Sequence, residues 1–83
     1  MAHISMLIAK QVKAARVLLD MDQKQLAAAS DLSLPTIQRM EASKGSVRGN
    51  AANVWKLQKA LEDAGVAFIE ADNGGPGVRL KAG

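Results

Sequence analysis

The chain has no cysteine, one histidine and two aromatic residues, Trp55 and Phe68. Without cysteine there are no disulfide scaffolds and no thiolate metal sites. A lone imidazole, His3, excludes a multi-histidine metal centre and leaves nucleophilic side chains without a base nearby in sequence. Two aromatics are too few for a platform that stacks single-stranded bases. No apolar run approaches the roughly 20 residues needed to span a bilayer. No cationic stretch precedes a long apolar one at the start, so a signal peptide is not expected and the cytoplasm is the expected location. Glu62 and Asp63 are adjacent at a helix end and point apart, unlike the facing carboxylates of acid–base catalysis. Asp72 and Asn73 sit beside glycines but fall short of a calcium loop, and no helix follows to make a phosphate cradle. Neither catalysis nor a cofactor or metal is expected.

What is present is one small domain's worth of chain, 83 residues. A core of that size is marginal, so regular helices or self-association should support it. The net charge is +3, from 11 basic and 8 acidic residues. All of the excess lies in residues 1–48, where Lys10, Lys13, Arg16, Lys24, Arg39, Lys44 and Arg48 face only Asp20, Asp22, Asp31 and Glu41. That half is suited to a polyanion. Lys10, Lys13 and Arg16 read as a solvated helix face.

Residues 1–6 carry no strong structural signal. From about Leu7 to Leu19, apolar residues at Ile8, Val12, Ala15 and Leu18 or Leu19 recur at helical spacing. Asp22 is a good N-cap for a second helix over Gln23–Ala29. Ser33 is an N-cap candidate for a third that continues through Thr36–Met40, and Pro35 is tolerated in its first turn. Residues 42–49 read as loop. Asn50 caps a fourth helix over Ala51–Ala64, with Gly65 as its left-handed stop. Its inner stripe is Val54, Leu57, Ala60 and Leu61, with Trp55 packed or partly buried beside it. Val66–Ala71 and Val78–Lys81 are strand-like and flank a glycine-rich turn, so they form a hairpin.

The stretch Gln23–Glu41 holds two short helices joined by about three residues. Ala27 must be small where the helices cross, Leu32 plugs the corner, and Ile37 and Met40 anchor the second helix. Ser33, Leu34, Pro35, Gln38 and Arg39 are left facing solvent. A short helix presented this way can enter a major groove.

In Gln23-Lys-Gln-Leu-Ala-Ala, Leu32-Ser33, Thr36-Ile37-Gln38-Arg39-Met40-Glu41 and Gly45, the sequence resembles the phage-repressor and Cro-like helix-turn-helix family, also called XRE. The resemblance spans about Val12–Leu61, and the tail looks like that of small bacterial members. It implies a mainly α, lambda-repressor-like bundle of four to five helices with a C-terminal β-hairpin. Residues 1–65 would be the DNA-binding domain and residues 66–83 a dimerisation element. By position, it implies that Gln23 bonds a phosphate and braces the recognition helix, which starts at Ser33, Leu34 and Pro35. It further implies that Arg39 faces the groove and that Glu41 helps fix the following loop.

The chain departs from the family at Asp31, where glycine is usual, and at Leu34 and Pro35, where relatives often place glutamine. Neither of the last two can hydrogen-bond adenine. Leu34 can touch a thymine methyl and Arg39 can address guanine. Specificity should therefore lean on Arg39, with Thr36 and Gln38 assisting, and Lys44 and Arg48 fit phosphate contacts. Each of these residues also has a plain surface reading: Gln23 as a polar helix start, Arg39 as an arginine paired to a nearby acid, Lys44 and Arg48 as solvated charge.

The hairpin is apolar on both faces at its start, and a two-stranded ribbon is marginal alone. A homodimer joined partly through Val66, Phe68, Ile69, Val78 and Leu80 is expected. It would set two recognition helices on a palindromic double-stranded site. The function expected is a dimeric, sequence-specific repressor. The rival is a protein-interaction module, an antitoxin or anti-activator, on the same scaffold.

Overall fold

Leu7 and Ile8 do not join the first helix. In the computed structural model, which describes residues 7–71 and 74–82, they run extended and pair with the loop of residues 45–47. Val47 N–H donates to Leu7 O at 2.8 Å and Ala9 N–H donates to Gly45 O at 2.9 Å. The helix begins only after this bridge. His3 and the Asp72–Asn73 pair lie outside the described residues.

Helix α1 (Ala9–Leu18) is followed by α2 (Gln23–Ser30), α3 (Leu34–Glu41) and α4 (Ala51–Ala64), then strands β1 (Val66–Ile69) and β2 (Gly77–Leu80). The fold is mainly helical and ends in a two-stranded hairpin. Its helix starts follow the capping residues. Asp22 Oδ1 accepts from Gln25 N–H at 2.7 Å, and Gln25 Oε1 accepts from Asp22 N–H at 2.8 Å, which closes a capping box on α2. Ser33 Oγ accepts from Thr36 N–H at 3.2 Å, and Asn50 Oδ1 accepts from Asn53 N–H at 2.8 Å. Pro35 occupies the second position of α3, where its missing N–H has no intrahelical partner to lose. Gly65, at φ 125°, ends α4 and donates to the carbonyls of Leu61 and Glu62. A side chain is strained at that φ, so glycine suits the stop.

The core is one cluster. Val12, Leu26, Ile37, Met40, Leu57, Leu61 and Val66 are its largest fully buried members, with Phe68 at its margin. Each such aliphatic side chain contributes about 1.5–3 kcal/mol by leaving water. Of the expected inner stripe of α4, Leu57, Ala60 and Leu61 are buried and Val54 is half-buried. Trp55 lies off that stripe and remains 53% exposed, with Lys59 Nζ 5.8 Å from its ring centroid.

In the hairpin Val66 pairs with Leu80, Ala67 with Arg79, Phe68 with Val78 and Ile69 with Gly77. Strand alternation puts Val66, Phe68 and Val78 on the face that covers the helices. This corrects the expected dimer surface. Val66 and Phe68 are buried in the chain's own core and Val78 packs against it, so Ile69 and Leu80 are the large apolar residues of the hairpin left exposed.

The hairpin is also held by polar contacts. The buried Gln11 side chain donates through Nε2 to Ile69 O at 3.1 Å and Gly77 O at 2.9 Å. Its Oε1 accepts from Ile8 N–H at 3.0 Å. One amide thus ties both strands to α1 and to the extended entry segment. Lys81 donates from its backbone to Gly65 O and from Nζ to Glu62 O.

Candidate nucleic-acid interface

The turn between α2 and α3 is made by Asp31 in the left-handed region, at φ 58°. Aspartate tolerates that conformation better than most residues with a Cβ. Leu32 N–H then donates to Ala27 O at 3.1 Å, and α3 starts two residues later. Ala27 is buried in the core cluster, and Leu32 packs half-buried against it.

Helical spacing sorts α3 into two faces. Ile37, Met40 and Glu41 are buried. Ser33, Pro35, Gln38 and Arg39 are exposed, and Leu34 and Thr36 are half-buried between the faces.

Two depressions flank the exposed face. On one side a shallow cleft brings Gln23 and Lys24 at the start of α2 beside Leu34 and Gln38. On the other an open groove of about 730 Å³ is lined by Thr36, Arg39, Ser43, Lys44, Arg48 and Asn53, among others. The expected contact residues therefore gather around α3. Among the described residues no acid pairs with Arg39, Lys44 or Arg48, so the reading of Arg39 as one half of a surface ion pair is set aside. The groove has three cations and no anion in its lining, a surface whose field favours phosphate.

Ser43 organises the loop beyond α3. Its Oγ donates to Arg39 O at 3.3 Å and accepts from Arg48 N–H at 3.0 Å, which sets the backbone of Arg48 against the end of α3. Asn53 lines the groove from the first turn of α4. Neither residue stood out in sequence. The signals available were the four-residue offset of Ser43 from Arg39 and the placement of Asn53 three residues after its cap.

The position of α3 is fixed from behind by a polar cluster. Glu41 is buried and accepts from Arg16 and from Gln23 Nε2, the latter at 3.2 Å. Arg16 also donates to Met21 O at 3.1 Å. Two expectations change here. Arg16 is not part of the solvated face of α1, because it turns inward to meet a buried carboxylate. Glu41 fixes the two preceding helices rather than the loop after it. Gln23 accordingly joins α2 to the end of α3.

This arrangement of two short helices, a tight corner and an outward cationic face defines a helix-turn-helix domain. A family model described as Helix-turn-helix matches residues 12–62, well over half of the chain. The chain belongs to this family, of the XRE type, and is a DNA-binding helix-turn-helix. A search of curated proteins finds no match. Among the described residues no helix is long and apolar enough to cross a membrane.

Proposed function

We propose that the protein is a sequence-specific regulator of transcription in the cytoplasm, acting as a dimeric repressor on a palindromic operator. The observation that carries this reading is the exposed face of α3. It presents Ser33, Gln38 and Arg39 beside Pro35, carries no acid, and is flanked by a groove whose lining, Arg39 included, has three cations. In this reading α3 lies in the major groove. Arg39 addresses guanine with Thr36 assisting it, Leu34 meets a thymine methyl, and Ser33, Pro35 and Gln38 complete the contact surface. Gln23, Lys44 and Arg48 hold the flanking phosphates and set the register.

Residues 1–65 are the reading unit and residues 66–83 the dimerisation element. Ile69 and Leu80 are the apolar side chains that the hairpin offers a second copy. A two-fold pair of such units suits half-sites about one helical turn, roughly 34 Å, apart.

The test is fluorescence anisotropy on duplexes that the protein itself selects from a randomised pool, repeated at several salt concentrations. Selection of a two-fold symmetric site, with affinity falling steeply as salt rises, is the expected result. The rival reading, a protein-interaction module, draws on one observation: α3 begins with two apolar residues, Leu34 and Pro35, and Pro35 is exposed. Absence of any selected duplex, together with salt-insensitive capture of one defined protein, would favour it.

A further inference from the structure

Along α3, three side chains at successive i, i+3 positions are joined by hydrogen bonds. Ser33 Oγ donates to Thr36 Oγ1 at 2.8 Å, and Arg39 Nη2 donates to the same Thr36 oxygen at 3.3 Å. The Ser33 hydroxyl is in turn fixed by its capping bond from Thr36 N–H. The run therefore begins at a backbone anchor and ends at the guanidinium that projects from the exposed face.

The donors and acceptors can be counted. A hydroxyl oxygen has two lone pairs and one proton. The Thr36 oxygen accepts from Ser33 and from Arg39, so both acceptor positions are used. Its own proton stays free to donate. Arg39 spends one of its five N–H donors on Thr36 and keeps enough for a bidentate fork. An exposed arginine loses rotamer freedom when it is fixed against a base, which opposes binding. Part of that ordering is already present where one of its nitrogens rests on Thr36. Guanine presents O6 and N7 side by side, which matches such a fork.

We propose that Thr36 is a positioning residue for base reading: it takes its own setting from the capping serine and holds the Arg39 guanidinium in the orientation that recognises guanine. This rests on the DNA-binding reading above. It adds that the helix cap and the specificity contact are one hydrogen-bonded unit, so preference for guanine depends on a residue that need not touch a base.

The experiment uses the full chain and the duplex that the wild type selects from a randomised pool. Each guanine of the site is replaced in turn by adenine, and the loss of affinity gives the preference at that position. Arg39→Ala should abolish preference at one guanine, a change of roughly 5- to 150-fold. Thr36→Val removes the acceptor and keeps the shape, and the Ser33 cap survives because it uses the backbone N–H. It should weaken preference at that same guanine by about three- to ten-fold, with the salt dependence of binding unchanged. Thr36→Ser should restore the preference, and Thr36→Val in the Arg39→Ala background should change it no further. Thr36→Ala is the second hydroxyl-free variant should valine perturb folding, and matched denaturation midpoints confirm that folding is equal.

Full preference in Thr36→Val and Thr36→Ala overturns the proposal. So does an equal loss in Thr36→Ser, which would mark packing, and so does an undiminished effect of Thr36→Val without Arg39, which would mark a direct contact. If the wild type selects no duplex, the DNA-binding reading itself fails, an outcome distinct from all of these.

Discussion

Arg16 on α1 and Glu41 on α3 meet at two points, Nε to Oε2 at 2.8 Å and Nη2 to Oε1 at 3.0 Å. The Glu41 side chain is 1% exposed and that of Arg16 19%. With Gln23 on the same carboxylate, the pair joins the first three helices behind the exposed face of α3. A bidentate arginine–carboxylate contact has a narrow geometry, so it specifies an angle between elements as well as attracting them.

Removing one partner should therefore be costly. Glu41→Ala strands Arg16 and leaves Gln23 without its acceptor. The expected loss is about 3 kcal/mol, at the low end for a broken buried pair because Arg16 keeps some contact with water. Against a total of about 5–15 kcal/mol for a small domain, this is a large fraction. Replacing both partners, as Arg16→Met with Glu41→Leu, should recover most of it. Urea denaturation of the three variants measures this. A single-variant loss below about 0.5 kcal/mol, the size of an exposed pair, would show that the contact does not hold α3.

Gln11 should act as the fastening of the hairpin. Gln11→Leu keeps a similar volume but withdraws both donors from Ile69 O and Gly77 O. The expected cost is about 1–3 kcal/mol for carbonyls left without partners. Hydrogen exchange locates the effect: amides of β1 and β2 should lose protection while those of α2 and α3 keep most of theirs. Unchanged protection in the hairpin would contradict the assignment.

How much of this was legible in the sequence follows from what each contact depends on. The caps Asp22, Ser33 and Asn50 act within three residues of themselves, and all three lie where composition places them. The bounds of α4 and the two-faced character of α3 are equally local. Gln11 is another matter, because its partners are 58 and 66 residues away and periodicity assigns a polar residue on α1 to solvent. A hint was present, since Gln11 stands four residues before the buried Ala15. Arg16 stands four residues after the buried Val12, and only the approach of Glu41, 25 residues on, decides its direction. Leu7 and Ile8 continue the apolar spacing of α1, but pairing with the loop at Ser46 overrides it.

Lys44 and Arg48 should contribute charge without sequence preference. Each alanine substitution is expected to weaken binding to all duplexes alike and to lower the slope of log affinity against log salt by about 0.9. Arg39→Ala should differ, changing preference at one position. Anisotropy titrations at four salt concentrations separate the two behaviours. An unchanged slope in Lys44→Ala and Arg48→Ala would remove the groove beside α3 from the phosphate contacts.

The hairpin offers a direct contrast between a core side chain and one of the proposed interface. Leu80 is 52% exposed and Val66 fully buried, although the two are cross-strand partners. Leu80→Glu should leave the fold intact and convert a dimer to a monomer in sedimentation velocity at tens of micromolar. Val66→Glu should unfold the chain, because it places a charge in the core. A wild type that sediments as a monomer at that concentration would contradict the dimer.

The most direct test of the central claim, that the outer face of α3 meets duplex DNA, is a backbone amide NMR titration of the full chain with its selected duplex. The expected shifts fall on Gln23, on Ser33, Leu34 and residues 36–39, and on residues 43–49, with Trp55, Lys59 and Ala67 unmoved by direct contact. Shifts confined to the outer side of α4 or to the hairpin, with residues 33–39 silent, would contradict it.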